Sequence, residues 1–240
     1  MELAREGKLV YDRELTDRVR VFADRHEAGL LLARACGQVL GSADLIYAIP
    51  RGGAPVGVPV AEALGAELDL LICRKLLIPW NKEAGFGAVR PDGRFFVDER
   101  LATFLGLSEH DIEEAIREQL REVEERNKRL RAGRPYPGLE GKRVVLVDDG
   151  VAAGYTMRAA LGFVRDKGAR EAVIAVPTGH IRALEALAGE ADLVICLNVR
   201  SGPFFAVADA YERWRDLTDD DVLEALARFR TGAGIRSPRC

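Results

Sequence analysis

Apolar residues in this chain come in short dense runs separated by longer stretches of mixed character. Runs with strand character lie at 45–49 (LIYAI), 68–73 (LDLLIC), 144–147 (VVLV), 172–176 (AVIAV) and 192–197 (DLVICL), each short for a helix. Helical spacing precedes the first run at 25–40 and recurs at 55–65, 154–167 and 180–189. Short buried strands alternating with helices predict βαβ units, hence an α/β fold with helices covering both faces of a mostly parallel central sheet, a three-layer α/β/α arrangement.

The stretch between the second and third strands breaks this rhythm. Residues 86–97 (FGAVRPDGRFFV) place two extended runs around Pro91-Asp92-Gly93, whose turn chemistry predicts a β-hairpin. Ser108 and Asp111 then have the spacing of a capping box, opening a helix to about 131 with Ile112, Ala115, Ile116, Leu120, Val123 and Leu130 on one apolar stripe. Its acidic first turn and basic last turn suit the helix dipole. A Gly- and Pro-rich connector at 133–141 returns the chain to the sheet. Residues 78–141 are therefore expected as a hairpin and helix insertion within one domain spanning 1–229. Thr218 and Asp221 predict a further capped helix to about 229, and 230–240 is expected as a flexible tail.

Composition narrows the partners. With 240 residues, 48% hydrophobic and 30% charged, the chain can bury one substantial core plus a small lobe. A formal net charge of -3 supplies no basic field, so no nucleic-acid partner is expected and any anion must be held locally. No run reaches the roughly 18 apolar residues of a membrane span. The opening MELAREGKLVYDRELTDRVR lacks the apolar middle of a signal peptide, so a cytoplasmic protein without membrane association is expected. Cys36, Cys73, Cys196 and Cys240 form no CxxC pair and sit at no zinc spacing, and they read as reduced thiols. His26 and His110 fall early in helices and read as surface residues. The dinucleotide and triphosphate signatures GxGxxG and GxxxxGK[ST] are absent, as are HExxH and GxSxG.

The run at 144–147 ends unlike the others, in VVLVDDGVAAGYTM (144–157), where paired carboxylates are followed by small residues opening a helix. Ligands of open α/β sheets collect beyond the carboxyl ends of strands where strand order reverses. Ala152, Ala153 and Gly154 let backbone N–H groups approach an anion, Thr156 adds a hydroxyl, and the helix after them adds its positive end. That suits a phosphate monoester. Asp148 and Asp149 would repel the phosphate and must face another part of the ligand, either vicinal hydroxyls or a magnesium ion. Phosphate beside a diol describes a ribose phosphate. A phosphoacceptor receiver domain also begins with a strand and two acids, but it needs an acceptor aspartate at the end of a later strand, and Asp192 precedes its strand.

The segment resembles the phosphoribosyl pyrophosphate (PRPP) signature of type I phosphoribosyltransferases. Other segments agree in order: FADRHEAGLLLA at 22–33, AIPRGGAPVG at 48–57, RKLLIPWNKEAGFGAV at 74–89 and FFAVADAYERW at 204–214. The resemblance implies magnesium-dependent transfer of a phosphoribosyl group between PRPP and a nitrogenous base, with pyrophosphate as leaving group. Asp148 and Asp149 would hold the ribose hydroxyls, or magnesium on them, and favour an oxocarbenium-like transition state. Ala152, Ala153, Gly154, Tyr155 and Thr156 would surround the 5-phosphate. Pro50, Arg51, Gly52 and Gly53 match the pyrophosphate loop, where a cis peptide at Pro50–Arg51 is implied, and Arg74 and Lys75 would add cations, with Arg51 and Lys75 counted among the catalytic groups. The resemblance also implies a small hood lobe, an antiparallel edge strand contributed by the hairpin arm, closure of that arm over the ligand, and a homodimer as one assembly.

One position departs from the pattern. The family commonly has Thr where this chain has Ala153, and losing a charged hydrogen bond costs on the order of 1.5–3 kcal/mol unless another donor, Tyr155 for example, replaces it. A PRPP-binding regulator with little catalysis is therefore the alternative to an enzyme. Phe204 and Phe205, after the last strand, are candidates for stacking a base, with core packing as the alternative, and His180 after the fourth strand is a candidate pocket residue. The base itself is not readable from these motifs.

Overall fold

A computed structural model describes residues 1–233. The chain opens with strands β1 (Leu3–Glu6) and β2 (Leu9–Asp12), followed by α1 (Arg25–Leu40), β3 (Leu45–Ala48), α2 (Gly53–Leu64) and β4 (Glu67–Leu70). Its middle comprises β5 (Arg74–Ile78), β6 (Asn81–Val89), β7 (Phe95–Val97), α3 (Glu99–Phe104) and α4 (Glu109–Arg131). It ends with β8 (Arg143–Val147), α5 (Tyr155–Asp166), β9 (Glu171–His180), α6 (Ile181–Glu190), β10 (Leu193–Arg200) and α7 (Asp219–Ala233).

The main sheet has the order β1-β2-β10-β9-β8-β3-β4, parallel from β2 to β4. Alternation along each strand divides the core. Val144 and Leu146 of β8 face Met157, Ala160 and Phe163 of α5, whereas Val145 and Val147 face Leu32 of α1 and Val56 and Val60 of α2. That is the three-layer α/β/α arrangement expected from the strand and helix alternation.

One expected detail is corrected. The hairpin arm does not supply the antiparallel edge of the main sheet; β6 and β7 pair with β5 in a separate three-stranded sheet. β4 stops at Leu70, and buried Leu71, Ile72 and Cys73 carry the chain off the sheet before β5 begins. The antiparallel edge is β1 at the opposite end, from a hairpin that the charged opening sequence concealed. Leu9 and Val10 are buried where β2 pairs with β10, and this docking supports a hairpin too short to persist alone.

The small sheet has its own core. Leu76, Ile78, Phe86 and Val89 pack with Ala115, Val123 and Leu130 of α4 and with Val222 and Leu226 of α7, and Ile112, Ile116 and Leu120 lie against this cluster. The capping box of Ser108 and Asp111 is formed, as is the pair of Thr218 and Asp221 before α7. α7 runs to Ala233, and the part of the expected tail from 234 onward, Cys240 included, lies outside the described residues. Cys36, Cys73 and Cys196 are buried free thiols, and His26 and His110 are exposed. Among the described residues no helix is long and apolar enough to cross a membrane.

Candidate functional site

Strand order reverses between β3 and β8, so the loops after these two strands face one another at the carboxyl end of the sheet. The loop after β8 leads into α5 with Gly154 at φ 83°, a conformation that favours glycine. Beside it opens a cleft of about 380 Å³ lined by Asp148, Gly150 to Met157, Val207, and Lys75, Ala84 and Gly85 from the small sheet. The candidate phosphate loop, Ala152, Ala153, Gly154, Tyr155 and Thr156, thus shares one space with Asp148 and Lys75. The amino end of α5 adds partial positive charge there.

Tyr155 does not replace the hydroxyl missing at Ala153. Its Oη donates to Asp98 Oδ2 at 2.9 Å, tying α5 to the cap of α3, and its ring lies 6.1 Å from that of Phe96 in the hairpin. Tyr155→Phe is expected to cost about 1 kcal/mol of stability, about 2–4 °C in Tm, measured by thermal denaturation. An unchanged Tm would show that this tie contributes nothing.

The paired acids have different surroundings. Asp148 lines the cleft, and its Oδ1 accepts from the Asp149 amide at 2.8 Å. Burial, then the Asp149 charge, raises the Asp148 carboxyl well above the ordinary carboxylate range. Asp149 turns toward α1, where Arg25 Nε donates to its Oδ2 at 2.7 Å. Burial raises Asp149 as well, and Arg25 offsets part of that rise. Asp24 caps α1 and sets Arg25 at its first position, while Trp214 lies under the guanidinium at 3.7 Å from the ring centroid. Arg25 also donates to the Arg215 carbonyl, and Tyr211 Oη donates to the Asp149 carbonyl at 2.6 Å.

The loop after β3 meets these acids from the other side. The Pro50–Arg51 peptide is cis. A Cβ on Gly52 would lie 2.0 Å from Asp149 Oδ2, and one on Gly53 would lie 2.5 Å from the Val147 carbonyl oxygen, so both positions require glycine for close approach. A second cleft, of about 260 Å³, is lined by Pro50, Gly52, Arg25, Arg51, Arg74 and Arg126, with Asp216 and Leu217. Arg51 is held from behind, its Nε donating to Asp219 Oδ1 at 2.8 Å and its Nη1 to the Leu217 carbonyl. Arg74 Nε donates to Gln119 Oε1 at 3.3 Å.

The expected pyrophosphate residues are therefore divided. Pro50, Arg51, Gly52 and Arg74 line the arginine cleft, whereas Lys75 lines the cleft of the phosphate loop. His180 caps α6 and its Nε2 lies 3.2 Å from the Gly202 carbonyl oxygen, with the Phe205 ring 6.0 Å away, while Phe204 is 89% exposed. None of these three lines either cleft.

Sequence reasoning assigned no role to Arg25, Tyr211, Trp214, Arg126 or Asp219. The first three lie within the quoted segments FADRHEAGLLLA and FFAVADAYERW, which were a usable signal. Asp219 opens an Asp run and Arg126 lies among the many charged residues of α4, so neither stood out.

The description "Phosphoribosyl transferase domain" belongs to the family model that matches residues 108–207, a range holding both acids and the phosphate loop. A Mycobacterium tuberculosis protein provisionally named a phosphoribosyl transferase is 38% identical over 210 residues, covering 88% of this chain and 47% of that protein. The chain thus spans about half the length of the curated relatives it matches. The orotate phosphoribosyltransferase of Stenotrophomonas maltophilia is 39% identical over 114 residues, 42% of this chain and 48% of that enzyme. TT1426 from Thermus thermophilus, a crystal structure, is 36% identical, with a TM-score of 0.70 and coverage of 87% of this chain and 98% of that one. Similarity that extends along a whole solved relative, together with a family match over the acids and their loop, means that this chain belongs to the type I phosphoribosyltransferase family.

Proposed function

We propose that the protein transfers a phosphoribosyl group between PRPP and a nitrogenous base, releasing pyrophosphate. The observation that carries this reading is the cleft in which Asp148, Lys75 and the loop of Ala152 to Thr156 surround one space. In this reading the loop and the amino end of α5 hold the 5-phosphate, and Asp148 faces the ribose. The loop of Pro50, Arg51, Gly52 and Gly53, with Arg74, takes the pyrophosphate, while Lys75 acts from the hairpin side. As the C1–pyrophosphate bond breaks, the Asp148 carboxylate favours the positive charge developing on the ribose, and the base nitrogen forms the new bond to C1. In this reading the hairpin, whose Ala84 and Gly85 line the cleft, limits water access to that centre.

The donor set fits magnesium only as an ion shared with the ligand. Among the described residues no group of three or more His, Cys, Asp or Glu is arranged for a metal, and Asp149 is committed to Arg25. Asp148 would be its main protein contact, with PRPP oxygens completing the shell. A bound magnesium ion would neutralise charge on the departing pyrophosphate.

Calorimetric titration with PRPP, with and without magnesium, tests the assignment, followed by a screen of bases for pyrophosphate release. That screen begins with orotate, the base named in one relative. Absence of PRPP binding by folded protein rejects the reading. PRPP binding without turnover on any base would instead favour a regulator, a reading supported by Ala153 and by the internal pairing of Asp149 with Arg25.

A further inference from the structure

Among the described residues, one cation of the arginine cleft makes no direct ion pair, with Asp219 and Glu122 acting on it only at longer range. Arg25 is paired with Asp149, Arg51 with Asp219, and Arg74 reaches Glu122 at 4.0 Å. Arg126 lines the same cleft from α4, is half-buried, and makes no ion pair or side-chain hydrogen bond among the described residues. Asp216 is the one carboxylate among the lining residues, against the guanidinium groups of Arg25, Arg51, Arg74 and Arg126. Burial lowers the pKa values of both Arg126 and Arg74; repulsion from Arg51, and from Arg74 on Arg126, adds to it, while Glu122 and Asp219 offset part of the fall. Half-burying an unpaired guanidinium beside other cations opposes folding, and a bound polyanion would reverse that opposition.

We infer that Arg126 is a further anion-binding residue, donating from the insertion helix to the diphosphate held by Arg51, Arg74 and the Pro50–Gly52 loop. This inference rests on the proposed function only for the identity of the anion. A guanidinium offers forked donors to phosphate oxygens, which suits a cleft wall with more cations than carboxylates. Arg126 belongs to the middle insertion, outside the loop that follows β3, so the insertion contributes to the site as well as to the satellite core.

Arg129 provides an internal control. It lies one turn further along α4, outside this cleft, and pairs with Asp220 at 3.2 Å and Asp219 at 3.5 Å. Arg126→Gln and Arg129→Gln remove the same charge from the same helix, but only the first removes a donor to the cleft. Inorganic pyrophosphate is titrated into the native full chain and both variants at one ionic strength, with circular dichroism checking the fold. Arg126→Gln is expected to weaken pyrophosphate binding about 10-fold or more, as loss of a charged hydrogen bond does. Arg129→Gln is expected to stay within about 3-fold, the size of a screened surface-charge effect. Arg126→Lys, which keeps the charge without the fork, should fall between native and Arg126→Gln.

Equal losses in the two Gln variants would reduce the effect to general electrostatics and overturn the inference, as would native affinity in Arg126→Gln or no pyrophosphate binding by the native chain. The parallel titration with PRPP separates this outcome from the fate of the proposed function. PRPP binding with pyrophosphate affinity indifferent to Arg126 rejects the inference alone. Arg126-dependent pyrophosphate binding without PRPP binding rejects the ribose pocket alone.

Discussion

Asp148→Asn is expected to lower turnover about 100-fold or more while raising the melting temperature at neutral pH. Under the proposed transfer, the rate effect follows from the position of Asp148 in the cleft, where a carboxylate would favour positive charge developing on the ribose and a neutral amide would not. A 100-fold loss corresponds to about 2.7 kcal/mol of transition-state stabilisation. The stability effect has the opposite sign. Burial and Asp149 hold the folded Asp148 pKa above its unfolded value, so the folded chain binds a proton more readily than the unfolded chain. Native stability is therefore undiminished by this group below the ordinary carboxylate pKa of about 3.9, and it falls as pH rises toward the folded value. Asn carries no charge and can keep accepting from the Asp149 amide, so it removes the cost. Thermal denaturation at pH 7.5 should show a higher Tm for the variant, with the difference closing below about pH 4. A variant no more stable than native at pH 7.5 would contradict the electrostatic account, and near-native turnover would remove Asp148 from the chemistry.

Arg25→Ala should produce the largest loss of stability, about 3–5 kcal/mol at neutral pH, because it leaves the Asp149 carboxylate covered and unpaired. The side chains of Arg25 and Asp149 are only 10% and 14% exposed, so water cannot readily replace the guanidinium. The substitution also removes the stack on Trp214. For a chain of this length the loss corresponds to about 6–20 °C in Tm. Without Arg25, burial holds the Asp149 pKa further above its unfolded value, offset only by its hydrogen bonds with Asp148 and the backbone, so the variant should recover stability as pH falls through that raised value and the carboxyl protonates. Urea denaturation at several pH values reads both effects. A loss below about 1 kcal/mol, or one independent of pH, would mean that the pair is not coupled as its geometry indicates.

The two acids show how much of the site was legible. Adjacent carboxylates at the end of an apolar strand, followed by Ala152, Ala153 and Gly154, mark a candidate ligand loop because strand length, glycine conformation and helix polarity are local properties. The same locality made the cap of α4 and the strand at 144–147 readable to within a residue or two. It did not reveal that Asp148 lines the cleft while Asp149 turns away to pair with Arg25, brought in by α1 from 124 positions earlier in the chain. Nor could it separate Lys75 from Arg74. Those neighbours point to opposite sides of β5, and the direction of each depends on how the small sheet docks.

By itself the sequence determined the α/β class, the parallel strands with their helices, and the paired acids followed by a small-residue loop that opens a helix, because periodicity and short-range backbone preferences act within a few residues. Only the tertiary structure decided which edge the antiparallel strand occupies, that the hairpin joins a sheet of its own, and which cations share a cleft. Strand partners and ion pairs are selected by burial and charge between segments far apart in the chain, and those interactions exist only once the segments have packed.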